Sequence, residues 1–113
     1  MNFGIEKRRH PRVALKWPVD LIPPQETVRG ETSNISVGGA LFLFSEMPEI
    51  DDEFKVILKS SEEHRIPVTC KKARSYNFNI NGSVLHGIGA RFTKITSVDR
   101  GVIATLVEVY QMI

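Results

Sequence analysis

Several features that define large classes of protein are scarce in this sequence. It has one cysteine, Cys70, in 113 residues, so it cannot form an internal disulfide framework, and such cysteine usage suits a reducing compartment. Its longest uninterrupted apolar run, residues 40–44, is far too short to span a bilayer. The N-terminus is polar and basic with no apolar run behind it, unlike a secretory signal. We therefore expect a cytoplasmic protein without a membrane span.

Side chains for metal or covalent chemistry are scarce as well. The three histidines, His10, His64 and His86, are scattered and do not combine with Cys70 at the spacing of a metal site. The acidic stretch 46–53 lacks the pattern of a calcium loop. No nucleophile is paired with a base. We expect no metal, no cofactor and no catalytic residue, and hence a protein that is not an enzyme.

The composition is that of one globular domain, with 42% hydrophobic and 25% charged residues and a net charge of +2. The basic excess lies in the first twelve residues, which contain Lys7, Arg8, Arg9 and Arg12 and only one acidic residue, Glu6. The rest of the chain is slightly acidic, which argues against a globally basic nucleic-acid surface and leaves a local anion-binding arm. We predict a flexible basic leader over residues 1–12 and one domain over residues 13–113.

Apolar residues alternate with polar ones along most of the chain, which is the pattern of half-buried strands. In residues 40–44 every position is apolar, as in a strand buried on both faces, and Asn81-Gly82 signals a tight hairpin. Trp17 and Cys70 fall in apolar registers and are expected in the core. Six strands are predicted, over residues 13–22, 27–33, 40–44, 54–59, 64–74 and 84–92. Strands of this length and spacing favour a barrel or sandwich.

The last segment changes to the period of a helix, predicted over about residues 97–112. Thr96 or Ser97 can cap it, and Asp99 stands favourably in its first turn. Its apolar residues recur at three- and four-residue spacing and form a stripe that could pack on the sheet: Val102, Ile103, Leu106, Val109, Tyr110 and Ile113. The predicted fold class is mainly β, a six-stranded antiparallel β-barrel with a C-terminal α-helix.

Two short motifs carry a resemblance to a known family. The leader contains Arg8-Arg9-His10-Pro11-Arg12, in which three residues separate Arg8 from Arg12. About twenty residues later comes Asn34-Ile35-Ser36-Val37-Gly38-Gly39, which reads Asn, any residue, Ser, any two residues, Gly. In this order and spacing they resemble the two signatures of the PilZ domain, a bacterial receptor for the second messenger cyclic di-GMP. The resemblance covers essentially the whole chain and implies a barrel with a terminal helix.

The residue types suit such a ligand. Cyclic di-GMP carries two phosphodiesters and two guanines. The guanidinium groups of Arg8, Arg9 and Arg12 can form bidentate hydrogen bonds to phosphate, or to O6 and N7 of guanine, and can stack on its face. A lysine would supply the charge but neither the paired bonds nor the stacking. Binding would then order the arginine leader over the ligand.

The second motif would supply the other edge of the site. The side-chain oxygen of Asn34 can accept from the N1–H and N2–H groups of guanine, although the family commonly has the stronger acceptor Asp there. Ser36 offers a hydroxyl to phosphate or base. Gly39, and with it Gly38, would allow a positive φ and a close approach of the ligand to backbone N–H groups. Lys72, Arg74 and Arg91 are weaker candidates for the rim of the site.

Other functions remain open at this point. The chain could be a PilZ-fold adaptor that binds a protein and no nucleotide, because Asn34 departs from the commoner Asp. The basic leader could instead be a loose polyanion contact, which would show steep salt dependence. The resemblance also implies a downstream protein partner in motility, exopolysaccharide or virulence machinery, and the sequence does not identify it.

Overall fold

The computed structural model describes residues 10–112, so the predicted site residues Arg8 and Arg9 lie outside the described part of the chain. Its strands are β1 (Pro18–Ile22), β2 (Gly30–Ser36), β3 (Gly39–Phe44), β4 (Glu53–Lys59), β5 (Arg65–Ile80) and β6 (Ser83–Lys94), followed by the helix α1 (Ser97–Gln111). All strand pairs are antiparallel, and they close into a barrel in the order β1-β2-β3-β6-β5-β4. The predicted fold class is confirmed.

The alternating side chains fill the barrel as predicted. Phe42 is fully buried at the centre, with its ring centroid 6.1 Å from those of both Phe44 and Phe54. Trp17 and Cys70 lie in the core, and burial raises the pKa of the Cys70 thiol to about 12. The barrel interior is therefore apolar and closely packed, so ligand chemistry has to take place on its outer surface.

The segment before β1 departs from the prediction. Val13, Leu15 and Trp17 are buried, as their alternation requires, but the predicted strand 13–22 is wrong before Pro18. Val13 instead makes an isolated bridge to Ile35 of β2, in which each N–H donates to the other's carbonyl oxygen at 2.9 Å. The register of β2 against β3 shifts between Thr32 and Asn34. At this irregular part of β2, residues 13–17 do not form a continuous ladder of backbone hydrogen bonds with the strand. The segment lies along β2 without becoming a regular strand.

Thr32 replaces the missing ladder with side-chain bonds. Its buried hydroxyl donates to the carbonyl oxygen of Leu15 and accepts from the N–H of Trp17 at 2.8 Å, and its own N–H donates to the carbonyl oxygen of Trp17 at 2.8 Å. A Thr32→Val substitution leaves the Trp17 N–H and the Leu15 carbonyl without this partner in a dry site. We expect the free energy of unfolding to fall by about 1–3 kcal/mol in urea titrations.

Thr27→Val is the matched control for that loss. The Thr27 hydroxyl also makes a hydrogen bond, to Glu46 Oε2 at 2.7 Å, but the pair is exposed and water can take its place. Equal losses in the two variants would contradict the role given to the buried hydroxyl of Thr32.

Strand bounds differ most in the β5–β6 hairpin. Strands were predicted over 64–74 and 84–92, whereas β5 continues to Ile80 and β6 runs from Ser83 to Lys94. Asn81 and Gly82 form the predicted turn, with φ of 50° and 82°. The prediction ended early because asparagines interrupt the apolar pattern after Arg74 and because a bulge at residues 72–74 shifts the register. Smaller shifts move β2 and β3 to 30–36 and 39–44.

The helix begins as predicted and packs over part of its length. Thr96 is the N-cap, and its hydroxyl accepts from the N–H of Asp99 at 3.1 Å. Ile103 and Val107 are buried, and Val102 and Leu106 pack partly against the core. Val109 and Tyr110 stay about half exposed, so their predicted packing on the sheet is wrong, and Ile113 lies outside the described residues. Within residues 10–112, no helix is long and apolar enough to cross a membrane.

Candidate ligand-binding site

The two motifs meet in one pocket on the outside of the barrel. It has a volume of about 210 Å³ and lies between the segment before Val13, the β2–β3 turn and β6. The residues that line it are His10, Arg12, Ser36, Gly38, Gly39, Ala90 and Arg91. Four of these, Arg12, Ser36, Gly38 and Gly39, are predicted site residues. The volume is below the roughly 300–1,000 Å³ of most small-molecule cavities, so a dinucleotide would extend onto the open surface.

The bridge between Val13 and Ile35 places Arg12 in this pocket. Because the bridge is antiparallel, the residue before Val13 lies beside the residue after Ile35, and these are Arg12 and Ser36. Arg12 is exposed to solvent while its backbone is held by the bridge next to it. The second arginine of the leader motif is thus positioned against the second motif by backbone hydrogen bonds.

Ser36 holds the shape of the β2–β3 turn. Its buried hydroxyl accepts from the N–H of Gly38 at 3.1 Å and donates to the carbonyl oxygen of Gly39 at 3.4 Å. The carbonyl oxygen of Gly38 in turn accepts from the N–H of Phe92 at 2.8 Å, which ties the turn to β6. A ligand that contacts Ser36 therefore has to share a hydroxyl that already stabilises the turn.

The two glycines of the motif have a different role from the predicted one. Neither has a positive φ; among the glycines of residues 10–112 only Gly82 does. A Cβ added at Gly39 would lie 2.2 Å from the carbonyl oxygen of Ala90, and one added at Gly38 would lie 2.8 Å from Cδ2 of His10. The expectation of left-handed backbone here is wrong. Gly39 is needed for the close approach of β3 to β6, and Gly38 for that of the His10 ring.

Asn34 stands two positions before Ser36 in β2 and does not line the pocket itself. Residues two apart along a strand face the same side, so Asn34 lies on the ligand side of β2. Its side-chain oxygen is buried and finds no hydrogen-bond partner among the residues that the structure describes. A buried acceptor without a donor is costly, and N–H groups of a ligand would relieve that cost. The contact to guanine predicted for Asn34 stays a prediction.

His10 and Arg91 are the site residues that sequence reasoning missed or ranked low. His10 stands inside the first motif, and its ring packs over Gly38. Arg91 is the cross-strand neighbour of Gly39, and Lys71 is its neighbour on the other side. Alternation in β6 could have signalled Arg91, because the residue between buried Ala90 and Phe92 has to point outwards. The other two rim candidates, Lys72 and Arg74, do not line the pocket.

The charges of the pocket favour an anion. Arg12 and Arg91 line it, and no acidic residue is among its described lining. Guanidinium groups bind phosphate through paired, charge-assisted hydrogen bonds. Across residues 10–112, no three His, Cys, Asp or Glu side chains come together in a way that could hold a metal ion. The pocket is therefore best suited to an anionic ligand held by arginines and backbone groups.

A larger cavity of about 600 Å³ lies between β4, β5, β6 and the start of α1. Lys55, Lys94 and Arg100 are among its lining residues, but it contains no residue of either motif. Size alone would favour this cavity. The smaller pocket is the better candidate because it joins two motifs that are far apart in the sequence.

The architecture defines a small domain built on a closed six-stranded β-barrel with one C-terminal helix. The family model described as the PilZ domain matches residues 6–109, which is nearly the whole chain. The chain belongs to the PilZ domain family.

Two solved structures have the same fold. The structure of the Bacillus subtilis inhibitor of motility, MotI/DgrA, superposes with a TM-score of 0.75 at 18% identity, over 96% of this chain and 52% of the other. This chain thus spans about half the length of that protein. The PilZ domain of Escherichia coli YcgR with c-di-GMP gives a TM-score of 0.69 at 11% identity, over 95% of this chain and 93% of the other. Curated proteins gave no match to the sequence.

Proposed function

We propose that this chain is a receptor for cyclic di-GMP, which orders the N-terminal arginine arm over the bound ligand and signals to a partner protein. The observation that carries the proposal is the meeting of Arg12 with the β2–β3 turn and Arg91 in one pocket. The structure of the YcgR PilZ domain with c-di-GMP agrees with this choice of ligand.

Each part of the ligand has a suitable group in the pocket or beside it. Arg12 and Arg91 supply guanidinium groups for a phosphodiester. The unpartnered oxygen of Asn34 accepts from the N1–H and N2–H groups of a guanine. Adenine carries no N1–H and no 2-amino group, so this contact distinguishes cyclic di-GMP from cyclic di-AMP.

The leader completes the site. Arg8 precedes Arg12 by four residues in the sequence, so its Cα can lie up to roughly 14 Å from that of Arg12. That reach covers a dinucleotide seated on the pocket. Arg8 and Arg9 close over the ligand from the outside, while Arg12 binds from its position beside Ser36. Ordering the arm costs about 1–2 kcal/mol per residue fixed, which limits the net affinity.

The ordered arm and the bound nucleotide together form the surface that a partner reads. The coupling is an order–disorder switch of the type used by signalling proteins. It requires no bond cleavage, so the proposed role is that of a receptor rather than an enzyme. The family resemblance implies a partner in motility, exopolysaccharide or virulence machinery.

Isothermal titration with cyclic di-GMP tests the proposal. We expect saturable binding with a dissociation constant of about 1 μM, or about −8 kcal/mol, and little binding of GMP or cyclic di-AMP. Equal affinity for cyclic di-AMP would contradict the role of Asn34. The absence of any heat or thermal shift at millimolar ligand would overturn the receptor function and favour an adaptor that binds its partner without nucleotide.

A further inference from the structure

The outer edge of the β5–β6 hairpin carries an unused row of backbone groups. β4 pairs with β5 only as far as Lys71, and the next N–H, that of Lys72, donates to the carbonyl oxygen of Asp52 at 2.7 Å. Beyond it, no strand among residues 10–112 pairs with this edge of β5 over residues 73–80. An open strand edge of this length is a template for pairing with another strand.

The hairpin geometry defines which groups point outwards. Ile80 and Ser83 flank the two-residue turn and are paired across it. In a hairpin with a two-residue turn, the two residues that flank the turn form a hydrogen-bonded pair. Hydrogen-bonded and non-hydrogen-bonded pairs alternate along an antiparallel ladder. Beyond the bulge at residues 72–74, the even-numbered residues from Arg74 to Ile80 therefore direct their N–H and C=O groups to β6. The N–H and C=O groups of Ser75, Asn77 and Asn79 point to the open edge.

The two faces of this edge differ in polarity. Tyr76 and Phe78 stack with ring centroids 5.8 Å apart, and Phe78 lies over Gly87, where an added Cβ would come within 2.7 Å of its Cε2. Tyr76 is 38% exposed and Ile80, on the same face, 49% exposed. The opposite face carries Asn77, whose side-chain oxygen lies 3.0 Å from Nδ1 of His86.

We propose that this edge pairs with the same edge of a second copy of the chain, antiparallel, about a two-fold axis at Asn77. Asn77 then faces the partner's Asn77, and Ser75 faces the partner's Asn79. The outward N–H and C=O groups of these three residues form six hydrogen bonds between the two copies. On the apolar face, Tyr76 packs against the partner's Phe78.

The alternation of side chains along β5 favours a second copy of the chain as the partner, and it favours this register. Pairing about Asn77 places Tyr76 opposite the partner's Phe78 and Ser75 opposite the partner's Asn79, whereas a shift by one residue would exchange the faces. Arg74 falls opposite the partner's Ile80, so no like charges face each other across the pair. The two-fold arrangement also uses the complete edge from Arg74 to the end of β5 in both copies. The contact is small, so dimerisation depends on concentration.

The Asn77→Pro and Asn77→Thr pair tests the backbone contact. Both substitutions remove the side-chain bond to His86, but only proline removes the outward N–H. Sedimentation velocity without nucleotide is expected to show the parent and Asn77→Thr shifting from monomer to dimer between about 10 μM and 1 mM, with Asn77→Pro monomeric throughout. A parent that stays monomeric over this range overturns the proposal, and so does an Asn77→Pro variant that dimerises as the parent does.

Cysteine cross-linking gives a second measurement if Asn77→Pro does not fold. A cysteine at position 77 lies on the proposed axis, whereas one at the exposed position Val84 is on the other strand of the hairpin. The native Cys70 is buried and does not compete. We expect Asn77→Cys to form a covalent dimer under mild oxidation several-fold faster than Val84→Cys. Equal rates would overturn the proposed pairing, and neither result depends on nucleotide binding.

Discussion

Replacing Arg12 by alanine is expected to weaken binding of cyclic di-GMP about a hundredfold, equivalent to about 3 kcal/mol, in isothermal titration. The substitution removes a guanidinium group that lines the pocket and that we propose to bind the phosphodiester, and hydrogen bonds to charged groups contribute about 1.5–3 kcal/mol each. Arg12 is exposed, so the melting temperature should change little. Arg12→Lys retains the charge but not the paired geometry, and an intermediate loss is expected.

Arg65→Ala is the matched control for Arg12. Arg65 is also an exposed arginine, but it lies 3.8 Å from Asp20 and lines a different surface depression. Its removal should leave the affinity unchanged and so exclude a general effect of net charge. Full affinity in Arg12→Ala would show that the pocket between the two motifs is not the ligand site.

Gly39→Ala is expected to lower the free energy of unfolding by about 3 kcal/mol or more, measured by chemical denaturation. The added Cβ would lie 2.2 Å from the backbone carbonyl oxygen of Ala90. Backbone cannot rotate away as a side chain can, so β3 would have to separate from β6. Since that pair helps to close the barrel, the strain affects the whole fold.

Alanine substitutions at two other glycines distinguish an effect on stability from an effect on binding. At Gly89 an added Cβ would lie 3.7 Å from the Tyr76 ring, an ordinary contact, so Gly89→Ala should be nearly neutral. At Gly38 the nearest described atoms to the added Cβ belong to the His10 ring, which can move, so Gly38→Ala should retain stability and lose affinity. A Gly39→Ala variant as stable as Gly89→Ala would contradict the close approach of β3 to β6.

Much of the fold could be predicted from the sequence because burial follows alternation. Val13, Leu15 and Trp17 are buried as predicted, although their backbone forms no regular strand. Strand formation needs a partner in register, and the partner here is an irregular part of β2 in which the Thr32 side chain replaces ladder bonds. No local pattern in residues 13–17 encodes that distant irregularity.

The candidate site, too, could be predicted only in part from the sequence. The motifs predicted which residues would meet, and four of them line one pocket. Their roles could not be predicted, because the positions of Gly39 beside Ala90 and of His10 over Gly38 depend on how β3, β6 and residues 10–12 pack. The place of Arg91 depends on the register of β3 against β6, which no single segment of the sequence specifies.

The closed barrel also determines when during folding the pocket comes into existence. Closure needs Val19 of β1 to pair with Leu58 of β4, 39 residues later in the chain, and Phe42 of β3 with Ile88 of β6, 46 residues later. Contacts between such distant segments form slowly, since the loop entropy is lost before the contacts repay it. The β2–β3 turn is a local element, but Arg91 reaches it only through the β3–β6 pair. The site is thus assembled by the slow, non-local step, and a nascent chain has no complete pocket until β6 has been made.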